Sequence, residues 1–398
     1  MTHTRRLFDE NSHLFDFRAT LLSVTPTDTE EILRITLDAT AFFPEGGGQS
    51  PDTGTLGGYP VLDVQEENGI IYHTIRASLP FPAVGEPLEG HLDREVRLRK
   101  MQNHSGEHII SGIVHRLYGY TNVGFHLGNG DVTLDFDGVL TREQLNAIED
   151  EANRIVAACL PVTAYYPAPE VLATLTYRSK LELTENVRMV EIGCGDTLMD
   201  RCACCAPHVD HTGEIGVIKL LDFMHYKGGV RIHMLCGLDA LEDYRRRYTD
   251  IALIASRLSV KQSDLVEGFD RLISEIEEKK QMIFDLRQTI LTMTLAALPE
   301  TEGSLCLFDE TGDANAMRRL LNHAVNKCQK LCGVFSGSDE SGYRYVIGRG
   351  DATIDLKQHN KAISAALNAK GGGSSEMLQG RSDATRKEIE AFFETYMI

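Results

Sequence analysis

The sequence contains no apolar run long enough to cross a bilayer and no apolar segment near its N-terminus that resembles a secretory signal. It is also poor in positive charge, since 40 Lys and Arg stand against 58 Asp and Glu, for a net charge of -18. These deficits exclude a membrane-spanning protein and argue against non-specific binding of nucleic acid. We therefore expect a cytoplasmic protein that has no membrane partner.

Disulfide patterning is absent as well. The chain has 9 cysteines, an odd number, and five of them lie at positions 194, 202, 204, 205 and 236. A disulfide framework spreads its cysteines along the chain, whereas this clustering is typical of reduced thiols and a metal site.

The 398 residues are enough for several domains with separate cores, and the residue patterns predict an α+β fold. β-Branched and alternating segments at 18–27, 30–40 and 69–77 predict a β-barrel-like domain over residues 1–90. An α/β domain that contains zinc is expected over 91–238, followed by a helical arm over 239–298. A small α/β domain is expected over 299–398, with a helix that starts near residue 355 and ends at Gly371–Gly373.

Two pairs of metal-ligand residues have the same spacing: His104 with His108, and Cys204 with His208. A step of four residues places two side chains on one face of a helix or across one tight turn. Imidazole and thiolate are the ligands that zinc prefers, and zinc takes three or four of them from a protein. A partly exposed helix face and an unrelated buried thiol are the alternative, but two such pairs together favour a zinc site.

A second chemical feature is the run Gly46, Gly47 and Gly48, which is followed by the polar residues Gln49 and Asp52. Three glycines allow positive φ angles and a close approach of the backbone to a ligand. A plain loop and a substrate-binding loop both fit this composition, and the flanking polar residues favour the binding loop.

The segment after Asp264 carries apolar residues at alternating steps of four and three. This heptad seam predicts a coiled coil or a helical arm that packs on the preceding helix, 239–258. A core helix is the alternative, but it would need a wider apolar stripe. The seam consists of Leu265, Phe269, Leu272, Ile276, Ile283, Leu286, Ile290 and Met293.

Taken in order, these motifs resemble the AlaX family of alanyl-tRNA editing proteins, freestanding relatives of the editing domain of alanyl-tRNA synthetase. The resemblance covers nearly the whole chain and rests on FFPEGGGQSPDTG at 42–54, HSGEH at 104–108 and CCAPHVDHTGEIG at 204–216. The C-terminal segment with KGGG at 370–373 is similar to the DHH-associated domain of the long synthetase and long AlaX forms. No class II ATP-binding core fits in the sequence, so the resemblance implies an editing hydrolase without aminoacylation activity.

By position, the resemblance implies that Zn²⁺ is held by His104, His108, Cys204 and His208. It assigns recognition of the misacylated residue to Thr40 and Gln49, and substrate binding to Gly46, Gly47, Gly48 and Asp52. Where the family more often has Cys-Gly-Gly-Thr-His, this chain has Cys-Cys-Ala-Pro-His, and Cys202 and Cys205 lie beside the favoured ligand Cys204. The implied substrate is alanine tRNA mischarged with serine or glycine, and the arm is expected to form a homodimer.

The sequence leaves open whether zinc has three or four protein ligands. With three protein ligands zinc activates a water or polarises the ester, and with four it holds the pocket in shape. Glu107 is disfavoured as a general base, because on a helix it points about 100° away from His108. The competing function is a non-catalytic, zinc-stabilised module for tRNA binding or dimerisation, which would not need Thr40 and Gln49.

Overall fold

The computed structural model describes residues 3–77, 80–128, 132–179, 187–309 and 313–396. The chain divides into two compact units, residues 1–253 and 254–398. Helices and several sheets alternate along both units, which confirms the mixed α+β class. None of the helices in the described ranges combines the length and the apolar composition that a bilayer crossing requires.

The first unit opens with a closed barrel whose strands follow the order β2-β3-β7-β6-β5-β8. Alternate residues of β3 and β7 point into its core, as the period of a strand requires, so that Leu33, Ile35, Ile71 and Ile75 are buried. The short strands β1 and β4 pair in parallel beside the barrel. The elements are β1 (Arg5–Arg6), α1 (Leu7–Glu10), β2 (Asp16–Pro26), β3 (Ile32–Leu37), β4 (Ala39–Thr40), β5 (Gly54–Leu56), β6 (Tyr59–Glu67), β7 (Ile70–Arg76) and β8 (Pro87–Leu92).

Two antiparallel sheets and several helices complete the first unit, and the last of these helices extends into the second unit. One sheet has the order β14-β15-β10-β9 and the other has the order β11-β12-β13. The elements are α2 (Arg94–Tyr118), β9 (Asn122–Leu127), β10 (Val132–Phe136), α3 (Arg142–Ala157), β11 (Val162–Tyr165), α4 (Pro169–Leu172), β12 (Met189–Ile192), β13 (Asp200–Ala203), β14 (Ile218–Tyr226), β15 (Gly229–Cys236) and α5 (Gly237–Leu258).

Helix α2 positions the chemistry of this unit. The side chain of Asp93 accepts a hydrogen bond from the backbone N–H of Val96 and starts the helix. Gly119 ends it in the left-handed conformation, with φ of 72°. Every residue from Lys100 to Val114 is buried, so both histidines of the first motif lie inside the unit.

The second unit is a five-stranded sheet of order β16-β17-β18-β20-β19, with helices around it. Its core includes Phe335, Tyr345, Ile347 and Phe393. The elements are α6 (Leu265–Ala297), β16 (Leu305–Phe308), α7 (Ala314–Ala324), β17 (Leu331–Ser338), β18 (Gly342–Arg349), α8 (Leu356–Ala366), β19 (Ala369–Gly373), β20 (Met377–Ser382) and α9 (Arg386–Thr395).

The prediction of a helix that ends at Gly371–Gly373 is wrong, because helix α8 ends at Ala366 and the glycines form strand β19. Gly371 pairs with Gly380 of β20. A Cβ atom on Gly371 would lie 2.2 Å from the carbonyl oxygen of Gln379 and 2.5 Å from the hydroxyl of Tyr345. The glycine is therefore needed for close approach of two strands, rather than for the end of a helix.

Candidate metal centre and its cavity

Four donor side chains converge inside the first unit. Helix α2 supplies His104 and His108 from successive turns, and the segment directly after β13 supplies Cys204 and His208. Their ligand atoms all lie within 4.8 Å of one another. The sulfur of Cys204 is 3.5 Å from Nε2 of His104 and 3.4 Å from Nε2 of His208. The two sequence pairs thus form one cluster that is able to hold a metal ion.

The spacing of these donors fits zinc. Zinc–nitrogen and zinc–sulfur bonds in a tetrahedral site place a nitrogen and a sulfur ligand about 3.5 Å apart. Both sulfur–nitrogen distances in the cluster match that separation. The cluster selects Cys204, since Cys202 and Cys205 lie outside the group of converging donors.

Each histidine of the cluster has a polar group beside its Nδ1 atom. Nδ1 of His104 is 2.9 Å from the amide oxygen of Gln49, and Nδ1 of His208 is 3.0 Å from the hydroxyl of Ser105. Nδ1 of His108 lies 3.4 Å from the carboxylate of Asp200. Partners of this kind fix the ring orientation and the tautomer of histidines that bind metals.

Burial shifts the pKa values of two members of the cluster, Cys204 and His208, toward their neutral forms. Burial raises the pKa of the Cys204 thiol, with a smaller contribution from neighbouring Cys205. Burial and the nearby rings of His108 and His104 hold the pKa of His208 well below 6.5. A cation reverses this balance, because it stabilises the thiolate and binds the neutral imidazole.

A cavity of about 590 Å³ adjoins the cluster, and His104, His108 and Cys204 form part of its wall. Three arginines and two tyrosines also line it: Arg6, Arg178, Arg188, Tyr166 and Tyr177. The cavity wall therefore contains both donors for a metal ion and guanidinium groups, each of which is paired with a carboxylate.

Glu107 lies on this wall, although the helical geometry alone disfavours it. Ser111 and Asn122 both donate hydrogen bonds of 2.6 Å to its Oε1 atom. Its Oε2 atom is 3.7 Å from Nε2 of His108. The helical wheel gives the direction of the Cα–Cβ bond, whereas the carboxylate lies two bonds beyond Cβ and reaches the cavity.

The glycine-rich loop forms a tight turn in which Gly46 and Gln49 exchange two backbone hydrogen bonds. Gly47 and Gly48 have positive φ angles of 61° and 85°. A Cβ atom on Gly48 would lie 2.4 Å from the carbonyl oxygen of Phe125, so this position requires glycine. Within the described residues, Gly47 is the loop glycine that lines the cavity.

The two residues assigned to recognition are buried behind the cavity wall. The hydroxyl of Thr40 lies 2.9 Å from Nε2 of His73 and accepts a hydrogen bond from the backbone of Phe42. Thr40 pairs across strands with Arg6, which does line the cavity. Neither Thr40 nor Gln49 belongs to the lining among the described residues.

Asp52 occupies the interior of the unit rather than the cavity wall. It accepts a hydrogen bond of 2.9 Å from Nε of Arg97 and one of 2.7 Å from the backbone of Phe43. Arg97 is fully buried and also donates to the carbonyl oxygen of Ala41 at 2.6 Å. The carboxylate therefore links the glycine-rich segment to helix α2.

Three residues beside the cluster were not predicted as site residues from the sequence: Ser105, Arg178 and Asp200. Ser105 and Asp200 contact histidines of the cluster, and Arg178 pairs with Asp200. Ser105 lies inside the first motif, but a serine next to a histidine carries no specific signal. Asp200 and Arg178 approach their partners only through the pairing of β13, which no local spacing reveals.

Comparison with known proteins gives three kinds of match. Residues 187–233 match the family model described as the threonyl and alanyl tRNA synthetase second additional domain. The chain is 26% identical to the alanyl-tRNA editing protein AlaX-L of Pyrococcus horikoshii over 394 residues, 96% of each chain. It is 26% identical to the alanine–tRNA ligase of Ignicoccus hospitalis and 33% identical to that of Caldivirga maquilingensis.

The two ligases are longer proteins. The matches cover 97% and 95% of this chain, but 42% of each ligase. The chain thus spans about two fifths of the ligases and nearly all of the editing protein. The resemblance to alanyl-tRNA editing proteins and to the corresponding part of alanine–tRNA ligases is therefore confirmed along almost the whole chain.

Proposed function

We propose that this protein is a trans-editing hydrolase that cleaves the ester between a wrong amino acid and the terminal ribose of alanine tRNA. Serine is the principal target and glycine the second, and the protein itself does not aminoacylate. The observation that carries the proposal is the cavity of about 590 Å³, because its wall contains three members of the His/Cys cluster. We propose that the protein acts in the cytoplasm, where aminoacyl-tRNA is used.

The need for such an activity follows from the limits of binding selectivity. A site that admits alanine is unable to exclude the smaller glycine by shape, and an apolar pocket rejects an added hydroxyl only weakly. A second site gains selectivity when it forms hydrogen bonds with the serine hydroxyl, since a substrate without that hydroxyl leaves the polar groups unpaired.

The residue types that line the cavity support an RNA terminus as the ligand. Arg6, Arg178 and Arg188 line the cavity in a protein whose net charge is -18. Each is paired with a carboxylate, Arg6 with Glu66, Arg178 with Asp200 and Arg188 with Asp9, so the guanidinium groups offer hydrogen-bond donors to a phosphate rather than a net positive charge. Acidic surface elsewhere weakens non-specific contact with RNA. Tyr166 and Tyr177 offer aromatic faces on which a base is able to stack.

We assign the metal as zinc, held by His104, His108, Cys204 and His208. Convergence of four donors supports a closed tetrahedral site. When bound, the ion supplies a fixed positive charge at the cavity wall and holds the four side chains in place. In the reaction a water oxygen attacks the ester carbonyl carbon and the bond to the ribose oxygen breaks. A proton of the water passes to that ribose oxygen, which becomes a free hydroxyl, and the amino acid departs.

Within the described lining, Glu107 is the one carboxylate. We assign it to orient the attacking water, because Ser111 and Asn122 fix one of its oxygens and the other faces the cluster. Gly46, Gly47 and Gly48 shape the loop beside this position. Asp52 acts on the loop through its buried contact with Arg97.

Recognition of serine is assigned to Thr40 and Gln49. Both side chains are buried, and the amide nitrogen of Gln49 makes no hydrogen bond within the described structure. An unpaired buried donor costs roughly 1–3 kcal/mol, so a substrate hydroxyl that accepts from it would be favoured. Thr40 lies beside Arg6, one strand behind the wall.

The C-terminal part is proposed to bind the tRNA body and to pair with a second copy. The seam residues Phe269, Leu286 and Ile290 are 53%, 56% and 62% exposed, which leaves an apolar stripe for a coiled-coil homodimer. The functional division that we propose is a barrel domain at 1–90, an editing domain at 91–238, an arm at 239–298 and a DHH-associated-like domain at 299–398.

A non-catalytic zinc-stabilised module for tRNA binding or dimerisation is the second candidate. Two observations favour it. A site closed by four protein donors is typical of structural zinc. The hydroxyl of Thr40 is also engaged by His73 rather than directed into the cavity.

One assay separates the two functions. Purified protein is incubated with alanine tRNA charged with serine, glycine or alanine, and release of the amino acid is followed. We expect rapid loss of serine, slower loss of glycine and little loss of alanine. Binding of the tRNA without faster release of serine would overturn the hydrolase and leave the binding module.

A further inference from the structure

The carboxylate of Asp200 lies beside the cluster histidine whose outer nitrogen is otherwise unpaired. Asp200 is 6% exposed, and its Oδ2 atom is 3.4 Å from Nδ1 of His108. That distance is slightly longer than a well-formed N–H···O hydrogen bond. Nδ1 of His108 makes no hydrogen bond within the described residues, so a small rotation of the imidazole would pair two buried groups.

Arg178 holds this carboxylate in place through two parallel hydrogen bonds. Its Nε and Nη2 atoms each donate to one oxygen of Asp200 at 2.7 Å. The backbone of Arg178 is fixed as well, because it exchanges hydrogen bonds of 2.8 and 2.9 Å with Arg201 and Ala203 on either side of Cys202. A planar bidentate pair on a fixed backbone leaves the carboxylate little freedom to turn.

Helix α2 provides the space that the carboxylate occupies. Gly112 lies one helical turn after His108, and a Cβ atom at this position would lie 3.0 Å from Cβ of Asp200. The glycine therefore lets strand β13 approach the helix at the level of the metal cluster. The juxtaposition of His108, Gly112 and Asp200 joins two elements that are far apart in the sequence.

We propose that Asp200 is a positioning residue of the metal centre, which turns Nε2 of His108 toward the other three donors. A carboxylate accepts a hydrogen bond from Nδ1–H, and this leaves the lone pair on Nε2 for the metal. Gln49 contacts Nδ1 of His104 and Ser105 contacts Nδ1 of His208 in the same way, but both are neutral groups. Asp200 is thus the one charged residue among the three that lie beside the Nδ1 atoms of the cluster histidines.

The test is the zinc affinity of the full-length Asp200→Asn variant, measured by competition with a chromophoric chelator. Loss of a carboxylate beside a metal-binding histidine weakens metal affinity by about 10–100-fold. We expect a loss in this range, together with an altered visible spectrum after substitution with cobalt. Arg178→Lys keeps the charge but loses the bidentate geometry, and a smaller loss is expected.

Asp135→Asn is the matched control. Asp135 forms the same kind of bidentate pair with Arg231, at 2.6 and 2.7 Å, on strands β10 and β15 of the same unit. It is absent from the metal cluster, so its zinc affinity should equal that of the wild type. If Asp200→Asn fails to fold, the test is the zinc affinity of Arg178→Lys together with its visible spectrum after substitution with cobalt.

The inference rests on the proposed zinc site, and the two fail in different ways. A wild-type protein that does not bind zinc would overturn the zinc site and this assignment together. Tight zinc binding by the wild type with equal affinity in Asp200→Asn would overturn the role of Asp200 alone. Equal losses in Asp200→Asn and Asp135→Asn would also overturn it, since they would reflect general destabilisation.

Discussion

The amide oxygen of Gln49 lies 2.9 Å from Nδ1 of His104, and both side chains are buried. This contact connects the glycine-rich loop directly to a ligand of the candidate metal centre. Gln49 thus belongs to the surroundings of the metal as well as to the proposed recognition site. A change in the loop is therefore expected to alter the metal centre, and loss of the metal is expected to alter the loop.

Replacement of Gln49 tests this connection. Gln49→Ala removes the acceptor for Nδ1 of His104 and should weaken zinc affinity by about 10-fold. Gln49→Glu keeps an acceptor and should bind zinc nearly as well as the wild type. Gln65→Ala serves as the control, because Gln65 contacts Glu45 beside the same loop but no residue of the cluster. Unchanged zinc affinity in Gln49→Ala, measured by chelator competition, would argue against the connection.

The buried pair of Asp52 and Arg97 is expected to be important for stability. Asp52→Ala leaves a fully buried guanidinium without its carboxylate, which should lower the free energy of unfolding by roughly 3–5 kcal/mol. Asp16 pairs with Arg94, which lies on the same helix as Arg97, but this pair is exposed. Asp16→Ala should therefore lower the free energy of unfolding far less than Asp52→Ala does. Urea denaturation measures both, and similar small losses would contradict the assigned role.

His73 should make the stability depend on pH in a defined window. Burial lowers its pKa from 6.5 to about 4 in the folded protein. Between these values the unfolded chain binds the proton more tightly, so stability is present above pH 6.5 and is lost as the pH falls toward 4. The full difference amounts to roughly 3 kcal/mol.

The measurement is the free energy of unfolding from pH 4 to pH 7, for the wild type and for His73→Gln, both without zinc. Glutamine is expected to keep a hydrogen bond to Thr40 but does not titrate, so its curve should be flatter. The other histidines are common to both proteins, and the difference isolates His73. Parallel curves would show that His73 does not carry this dependence.

Thr40→Val tests the discrimination between serine and alanine. If the Thr40 hydroxyl contacts the serine side chain, its removal should narrow the ratio of the deacylation rates by about 10-fold, as expected for one lost hydrogen bond. Zinc content should not change, because Thr40 contacts His73 and not the cluster. Thr36→Val is the control, since Thr36 is buried on the neighbouring strand β3. If the ratio of the two deacylation rates is unchanged in Thr40→Val, the hydroxyl does not contact the serine substrate and serves only its contact with His73.

Patterns that depend on nearby residues were predictable from the sequence. The alternation in 30–40 and 69–77 predicts strands that the structure places at Ile32–Leu37 and Ile70–Arg76. The four-residue steps indicate that His104 lies near His108 and that Cys204 lies near His208, and the fold then joins the two pairs in one cluster. Each of these signals is periodic and lies within a few residues, so it does not require knowledge of the tertiary fold.

Contacts between distant segments were not predictable. Asp200 and Arg178 are ordinary charged residues until the pairing of β13 brings them to helix α2. The glycines at 371–373 indicate the end of a helix in the sequence, whereas in the structure close contacts with Tyr345 and Gln379 explain Gly371 and a close contact with Met377 explains Gly373. Strand β6 begins at Tyr59 and Pro60 and carries exposed residues, so its alternation is weak. In each of these cases the structural role depends on burial and strand pairing, which the sequence pattern does not show.

The sulfur of Cys204 meets the ring of His104 across 100 positions of the chain. An ion bound between them would therefore act as a reversible cross-link that closes a loop of this length. Because such an ion would bind the folded unit and be released when the chain opens, it would stabilise the fold by an amount that rises with its free concentration. The folded fraction of this unit would then depend on the metal content of its surroundings.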